Sequence, residues 1–285
     1  MKQELVRINS IDGLEEVGIL YSPSNGTDRI VIHVHGLNGN FYENRFLDTI
    51  SKVYTDNNYA LLTFNNRGKD YITEMNKGND IAIIGGCLER FKDCLLDIEG
   101  AVNWAKARGY KEIVLEGHSY GCNKVLYYYN KKKDDSIKKI VLLAPCDIPA
   151  EGMKFLTKEQ YEKAKLDSTR LVNENKEDEL IDFAVMINNK IAAGTYYYDF
   201  LPGRENDFIR YRDNSKSEVL NSIDVPVLIV FGDTDECVLT EPIDVVKNYL
   251  TSNIKDCNIE IINGANHSYI GKYPELGEII RNNMK

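Results

Sequence analysis

The sequence contains no apolar segment that approaches the ~18 consecutive residues needed to span a bilayer. Its first ten residues, MKQELVRINS, have no apolar core of the kind that a secretory signal peptide requires. We therefore expect no membrane span and a cytoplasmic protein.

Positive charge is also scarce. The chain has 35 Lys and Arg residues against 44 Asp and Glu residues, so its formal net charge is -9. An acidic chain of this kind repels a polyanion, which argues against nucleic acid as a partner. The one basic cluster, Lys131–Lys133, is interpreted as a solvated helix end.

Paired cysteines are missing as well. None of the six forms a Cys-x-x-Cys pair, and no Cys/His group has the spacing of a zinc site. We interpret them as reduced thiols, and we predict neither a metal nor an organic cofactor. The cysteines are Cys87, Cys94, Cys122, Cys146, Cys237 and Cys257.

Short, β-branched apolar segments alternate with segments of helical periodicity. The predicted strands are 5–8, 15–21, 29–36, 59–64, 112–117, 138–145, 226–233 and 258–264, and the predicted helices are 42–57, 87–108, 119–131, 242–251 and 274–284. Strands that are apolar throughout favour burial on both faces. The pattern therefore predicts an α/β fold, a mostly parallel sheet with helices on both sides.

Two stretches interrupt this alternation. Residues 65–86 are predicted to form a long irregular loop. Residues 146–215 are too long for a simple crossover and contain a charged stretch, 157–191, that is predicted to be helical. We interpret 146–215 as a cap inserted into a core made of 1–145 and 216–285, the alternative being a surface decoration without a role in binding.

A single serine stands between two glycines in GHSYG (117–121), directly after a predicted buried strand and before a predicted helix. A serine hydroxyl is a weak nucleophile, and a sharp strand-to-helix turn can expose it above the sheet. The motif alone is common, but its position between strand and helix makes it specific. In this context GHSYG resembles the nucleophile elbow of the α/β-hydrolase superfamily, with Ser119 as the nucleophile.

The resemblance extends over roughly residues 15–285 and implies an eight-stranded type of sheet with an inserted helical cap. It also implies a catalytic base after the last strand, where His267 lies in NGANHSY. Of the other three histidines, His33 falls inside a predicted strand and is interpreted as a core residue. His118 lies in the elbow itself, and His35 lies in HGLNGN (35–40).

The orienting acid of the superfamily lies between the serine and the histidine in chain order. The segment PVLIVFGDTDECV offers two candidates, and the spacing from Gly232 favours Asp235. Asp233 remains an alternative because the register can shift by a residue or two. By the same resemblance, the backbone N–H groups of Tyr120 and Leu37 form the oxyanion hole.

One departure from the superfamily pattern occurs in NNRG (65–68). An acidic residue often stands two places before Arg-Gly in the superfamily, and this chain has Asn65 there. The loop is interpreted as structural, so the departure leaves the triad assignment intact and indicates a divergent branch.

The predicted cap holds candidate substrate-binding residues. Tyrosines cluster in TYYYDFLPGREND (195–207), where they either contact a ligand or attach the cap to the core. We take Tyr197 and Asp147 as candidates, although Asp147 could equally form a turn or a cap hinge. The chain, particularly YRDNS (211–215), is loosely similar to a branch that includes intracellular siderophore ester hydrolases.

The resemblance implies a serine hydrolase (esterase) that cleaves a carboxylic ester of a small or medium organic molecule. Amide, thioester or carbon–carbon bond hydrolysis and acyl transfer use the same triad, so they stay as alternatives. A binding protein without catalysis on the same scaffold is a third possibility. The sequence leaves the oligomeric state open, with a homodimer as one alternative.

Overall fold

The computed structural model describes residues 1–181 and 190–284. Ten strands are formed by these residues: β1 Lys2–Asn9, β2 Glu15–Ser22, β3 Arg29–Val34, β4 Ala60–Phe64, β5 Thr73–Lys77, β6 Asp80–Ile84, β7 Glu112–His118, β8 Ile137–Leu143, β9 Val227–Gly232 and β10 Cys257–Ile262. Eight of them make one sheet in the order β1-β2-β4-β3-β7-β8-β9-β10. From β4 to β10 the neighbouring strands are parallel, whereas β1 and β2 are antiparallel additions. The predicted α/β class and mostly parallel sheet are confirmed.

Nine helices are described: α1 Phe46–Asp56, α2 Cys94–Ala107, α3 Tyr120–Lys132, α4 Ile148–Lys154, α5 Lys158–Asn173, α6 Ala193–Thr195, α7 Glu218–Asn221, α8 Ile243–Asn253 and α9 Tyr273–Asn283. Apolar residues of α1 and α9 cover one face of the sheet. Those of α2, α3 and α8 cover the other. The sheet is therefore the middle layer of three, which explains why its central strands are apolar throughout.

Parallel strands place the loops that follow them at one edge of the sheet. The loops after β3, β7, β9 and β10 all leave from the carboxyl ends of their strands. They contain HGLNGN, GHSYG, Asp235 and His267 in that order. Segments as far apart in sequence as 35–40 and His267 therefore meet at one edge, the edge at which open α/β sheets bind ligands.

Two predictions about secondary structure were wrong. The stretch 65–86 is not wholly irregular, because β5 and β6 form an antiparallel hairpin within it. The predicted helix over 157–191 ends at Asn173, where a turn with Asn175 in the left-handed region (φ 59°) stops it. Residues 182–189 of that prediction lie outside the described residues.

The connection between β8 and β9 holds α4 to α7 and includes residues 146–215, which the sequence analysis interprets as an insertion. It packs on the segment before α2, where the backbone N–H of Phe91 donates to Asp199 and Arg90 donates to Thr195. It also reaches α3, where Asn123 donates to Asn206. The insertion is thus attached to the helix that begins at the GHSYG turn.

No helix in the described part of the chain combines the length and apolar character that crossing a bilayer requires.

Candidate active site

Ser119 lies in the turn between the end of β7 and the start of α3. Its backbone has φ 55° and ψ -128°, a conformation that glycine adopts easily and other residues rarely adopt. Strain of this kind costs on the order of 1–3 kcal/mol and persists only where the surroundings enforce it. The turn therefore holds Ser119 in a high-energy conformation at the carboxyl edge of the sheet.

The two flanking glycines allow this turn because no side chain fits at either position. A Cβ atom at Gly117 would lie 2.5 Å from the backbone nitrogen of Cys122. A Cβ atom at Gly121 would lie 2.1 Å from the carbonyl oxygen of Val34. Both distances are far inside van der Waals contact, so α3 can approach the sheet this closely only with glycine at 117 and 121.

The loop after β3 lies directly against Ser119. A Cβ atom at Gly36 would be 2.9 Å from the Cβ of Ser119 and 3.3 Å from its Oγ. Within the described ranges, the backbone N–H groups of Leu37 and Tyr120 donate to no acceptor. Two unpaired donors therefore occur beside the serine, one on each segment that the sequence assigned to an oxyanion hole.

His35 fixes the conformation of this loop. The backbone N–H of Asn66 donates to its Nε2 at 3.1 Å, so the ring proton resides on Nδ1 and is donated to the carbonyl of Gly36 at 2.9 Å. Burial, together with the nearby Lys124 ammonium, lowers the pKa of His35 to about 3. The ring is therefore neutral and acts as a bridge between two loops.

His267 and Asp235 are in direct contact. His267 Nδ1 is 2.9 Å from Asp235 Oδ2, and Asp235 Oδ1 accepts from the backbone N–H groups of Cys237 (3.0 Å) and Val238 (3.3 Å). Asp235 is 1 % exposed, whereas the His267 side chain is 24 % exposed. Asp233, the alternative acid, instead accepts from the backbone N–H of Gly264 at 2.6 Å. The structure thus pairs His267 with Asp235.

His118 supports the loop that carries His267. Its Nε2 donates to the carbonyl oxygen of His267 at 2.9 Å, and the centres of the two rings are 4.8 Å apart. Burial, reinforced by the adjacent His267, lowers the pKa of His118 well below its usual value. His118 is therefore a neutral donor, whose contact with His267 the sequence did not predict.

His33 occupies the core, as predicted. It is fully buried in β3, and its Nδ1 is 2.7 Å from Glu116 Oε1. Tyr54 of α1 donates to the other oxygen of the same carboxylate. These three side chains form a buried network within the fold.

Beneath the site lies a buried ion pair that sequence reasoning missed. Lys124 of α3 and Glu89 are fully excluded from solvent, and their Nζ and Oε1 atoms are 2.5 Å apart. Lys124 also donates to Asn66 Oδ1 at 3.2 Å, which links α3 to the NNRG turn. In that turn Asn65 Oδ1 accepts from the backbone N–H of Phe41 at 3.0 Å. The side-chain oxygen of Asn65 therefore stabilises the loop that holds Phe41, as a carboxylate at this position could, which agrees with a structural role for the NNRG turn.

Asp147 lies at the start of the insertion with both oxygens engaged. It caps α4 by accepting from the backbone N–H of Ala150 at 3.2 Å, and it forms an ion pair with Arg212. Arg212 also pairs with Asp207, and the three side chains join the two ends of the insertion. Burial raises the pKa of Asp147, although the Arg212 charge opposes the shift. These contacts match the hinge alternative.

Tyr197, the other candidate for substrate binding, is half-buried beneath the guanidinium of Arg204, 4.0 Å from the ring centre. A cleft of 450 Å³ nearby is lined by Phe91, Tyr198 and Arg204, among others. The Phe91 ring is 5.7 Å from that of Tyr120, the residue after Ser119. Phe91 therefore connects the wall of this cleft to the residue that follows Ser119.

One group of potential metal ligands occurs in the described ranges. Atoms of Asp235, Cys237 and His267 all lie within 4.8 Å of one another. Cys237 is half-buried, and burial raises the pKa of its thiol.

A family model described as "Protein of unknown function (DUF1749)" matches residues 15–279. The chain belongs to the DUF1749 family. The matched region of this DUF1749 protein includes the serine turn, Asp235 and His267. A search of curated proteins found no match to the sequence.

Solved structures similar to this DUF1749 protein are α/β hydrolases. Est1E from Butyrivibrio proteoclasticus, in a structure with ferulic acid bound, is 21 % identical over 97 % of both chains with a TM-score of 0.70. The α/β hydrolase GrgF from Penicillium sp. sh18 is 15 % identical over 100 % of this chain and 98 % of its own, with a TM-score of 0.69. An α/β serine hydrolase homologue from Coxiella burnetii is 16 % identical over 100 % and 99 %, with a TM-score of 0.60. The DUF1749 protein therefore has the α/β-hydrolase fold.

Proposed function

We propose that this protein is a serine hydrolase that cleaves a carboxylic ester of a small or medium organic molecule. The observation that carries the proposal is the strained backbone of Ser119 at the strand-to-helix turn, with φ 55°. A residue other than glycine in such a conformation is a hallmark of a nucleophile elbow. The 2.9 Å contact between His267 and Asp235 at the same edge of the sheet supports it.

In the proposed mechanism, Ser119 Oγ attacks the acyl carbon while His267 Nε2 takes its proton. Asp235 holds the proton on His267 Nδ1 and stabilises the imidazolium that forms. The N–H groups of Leu37 and Tyr120 bind the oxyanion. His267 then gives its proton to the leaving alcohol, and water hydrolyses the acyl-enzyme by the same steps in reverse order.

The alternatives differ in the bond that is cleaved or in the acceptor. An amide, a thioester, a carbon–carbon bond or an acyl-transfer acceptor would use the same residues, because fold and triad do not determine the substrate. We favour an ester over an amide or a carbon–carbon bond, because an alkoxide leaves with less protonation by His267 than an amide nitrogen or a carbanion requires. A binding protein without catalysis would have no use for strain at Ser119.

We further propose that residues 146–215 act as a cap that limits substrate size. Lys154 of the insertion donates to the carbonyl of Glu236, beside the proposed triad acid, which supports this role. Tyr197 is proposed to line the substrate path, and Asp147 to contribute by holding the hinge. A cytoplasmic location is proposed because all six cysteines are free thiols.

The test combines a covalent probe with a substrate series. Wild type, Ser119→Ala and Ser268→Ala are treated with a fluorophosphonate and assayed on p-nitrophenyl esters from acetate to dodecanoate. Ser268 is the matched control, because it is similarly half-exposed and adjacent to His267. We expect labelling and ester turnover in wild type and Ser268→Ala, with short acyl chains preferred. Ser119→Ala should lose at least about 1,000-fold of the turnover.

Equal turnover in Ser119→Ala and wild type would exclude Ser119 as the nucleophile. Labelling of Ser119 without ester turnover would favour an amide, thioester or carbon–carbon substrate. A folded wild-type protein with neither labelling nor turnover would favour the binding protein.

A further inference from the structure

The triad acid and the proposed base share their surroundings with a thiol. Cys237 stands two residues after Asp235, and its backbone N–H donates to Asp235 Oδ1 at 3.0 Å. This turn brings the Cys237 sulfur, an Asp235 oxygen and a His267 ring nitrogen within 4.8 Å of one another. The three atoms come from loops after two neighbouring strands, β9 and β10, so the sheet itself sets their spacing.

Thiolate, imidazole and carboxylate are the three ligand types that Zn²⁺ takes from proteins. Metal–ligand distances of about 2.0–2.3 Å in a tetrahedron put ligand atoms about 3.3–3.8 Å apart. To reach that spacing, separations of up to 4.8 Å must shrink by about 1 Å, and the 2.9 Å between His267 Nδ1 and Asp235 Oδ2 must widen by about 0.4 Å. Two backbone N–H groups hold Asp235 Oδ1, whereas the partner of Oδ2 is the Nδ1–H of His267, so Oδ2 can bind an ion that replaces that proton. The 24 % exposure of the His267 side chain gives an ion access and leaves room for a water as fourth ligand.

We propose that Asp235, Cys237 and His267 bind one Zn²⁺ ion, and that the bound ion holds the hydrolase inactive. On binding, the Cys237 thiol releases its proton to solvent. His267 coordinates through Nδ1, and the proton on that nitrogen moves to Nε2, so the ring remains neutral. The ion thereby replaces the proton between His267 and Asp235.

The chemical consequence concerns Nε2. A neutral imidazole whose Nε2 carries the proton has no lone pair there to accept the Ser119 proton. Asp235 is also withdrawn from its orienting role. The zinc-bound state therefore lacks a general base, and this inhibitory half of the inference rests on the proposed function. The binding half does not depend on any catalytic activity.

Binding is tested on the metal-free full chain by titrating Zn²⁺ in competition with a chromophoric chelator. Wild type is compared with Cys237→Ser and with Cys257→Ser. Cys257 is a matched control because it is also half-buried, but it lies at the start of β10, whereas the loop that holds His267 follows the end of that strand. We expect one equivalent of Zn²⁺ in wild type and Cys257→Ser. Cys237→Ser should bind at least about 10-fold more weakly, since even the loss of an outer partner costs 10–100-fold.

Cobalt(II) gives a readout specific to the thiolate. A near-ultraviolet thiolate-to-cobalt charge-transfer band should appear in wild type and Cys257→Ser and be absent in Cys237→Ser. Equal Zn²⁺ affinities in all three proteins, or a cobalt band that survives in Cys237→Ser, would overturn the site. An equal loss in both variants would overturn it too.

Inhibition is tested by the rate at which a fluorophosphonate labels Ser119, with Zn²⁺ or with a chelator. Each variant is compared with its own metal-free rate. Zn²⁺ should slow labelling at least about 10-fold in wild type and Cys257→Ser, and much less in Cys237→Ser. If zinc binds through Cys237 but labelling is unchanged, the inhibitory half is wrong. If Ser119 is never labelled, the proposed function and the inhibitory half fail while the titration alone decides the metal site.

Discussion

The backbone strain at Ser119 can be measured by comparing two substitutions that both remove the hydroxyl. Ser119→Ala keeps a Cβ atom in a conformation with φ 55° and ψ -128°, whereas Ser119→Gly relieves the clash that this atom makes. The loss of the hydroxyl cancels in the comparison. The difference in unfolding free energy between the two variants therefore reports the strain that the turn stores.

The expected magnitude follows from two opposing effects. Release of the strain stabilises Ser119→Gly by about 1–3 kcal/mol relative to Ser119→Ala. The greater freedom of glycine in the unfolded chain destabilises it by about 0.4–1 kcal/mol. We therefore expect Ser119→Gly to be the more stable variant by about 1 kcal/mol.

Lys52 provides the control, because it is exposed in the middle of α1. A helical position favours alanine over glycine by about 1 kcal/mol, so Lys52→Gly should be less stable than Lys52→Ala. The sign of the glycine-minus-alanine difference should thus be opposite at the two sites. Equilibrium urea unfolding, followed by the fluorescence of the single tryptophan, Trp104, measures both differences.

The reasoning fails if glycine is less stable than alanine at position 119 as well as at position 52. That result would mean that the turn relaxes around a Cβ atom and stores no strain. A nucleophile elbow would then lack its physical basis in this chain, whatever the activity of the wild-type protein.

Three further predictions concern the surroundings of the turn. NMR titration should show His35 neutral down to pH 5, because burial and the nearby Lys124 charge lower its pKa to about 3. His118 should stay neutral at its ordinary midpoint of about 6.5, because burial lowers its pKa well below that value. Since the unfolded chain takes up these protons from about pH 6.5 downward, stability should fall as the pH falls. A titration midpoint near 6.5 for either ring would contradict this. Gly121→Ala should lower the free energy of unfolding in urea by at least about 2 kcal/mol, because the new Cβ forces α3 away from the sheet. Gly152→Ala is the control and should lose nothing, because its Cβ would lie 3.4 Å from its nearest neighbour. Equal effects of the two substitutions would contradict the close approach of α3. Arg212→Met should lose about 3–5 kcal/mol because the buried carboxylate of Asp147 is left without its cationic partner, whereas Asp207 keeps its contact with Arg210. A loss below about 1 kcal/mol would show that solvent reaches Asp147.

The parts of the fold that the sequence predicts are those in which local pattern and burial agree. The central strands are apolar throughout, so their positions were correct to within a few residues. Helix α1 shows the same agreement, with Phe46, Ile50 and Val53 buried on one side as their spacing predicts. GHSYG could be placed at a strand-to-helix turn because a strand and a helix flank it directly.

The hairpin of β5 and β6 could not be predicted from periodicity, because it covers little of the core. Its strands TEMNK and DIAII leave Ile81 and Ile83 exposed, and Met75 is the one buried side chain of the first strand. Gly78 and Asn79 are residues typical of a turn, and they could have indicated a hairpin here. The absence of a regular hydrophobic pattern favoured an irregular loop instead.

Pairings between distant residues could not be predicted for a different reason. Lys124 and Glu89 are 35 positions apart in the sequence. Considered alone, each would be interpreted as a charged side chain on the protein surface. They meet because α3 packs against the segment before α2 that holds Glu89. The contact of His118 with the His267 carbonyl is hidden in the same way, because it depends on how two loops meet at the sheet edge.

The insertion leaves the sheet after β8 and returns at β9, two strands that are directly paired, with Ile140 opposite Val227. Its two ends are held side by side by the ion pair between Asp147 near its start and Arg212 near its end, whatever lies between them. Each doubling of such a connection costs only about 0.6 kcal/mol in chain entropy. Lineages can lengthen, shorten or exchange this segment while the serine turn and its partners stay in register, so substrate range can diverge without rebuilding the chemistry.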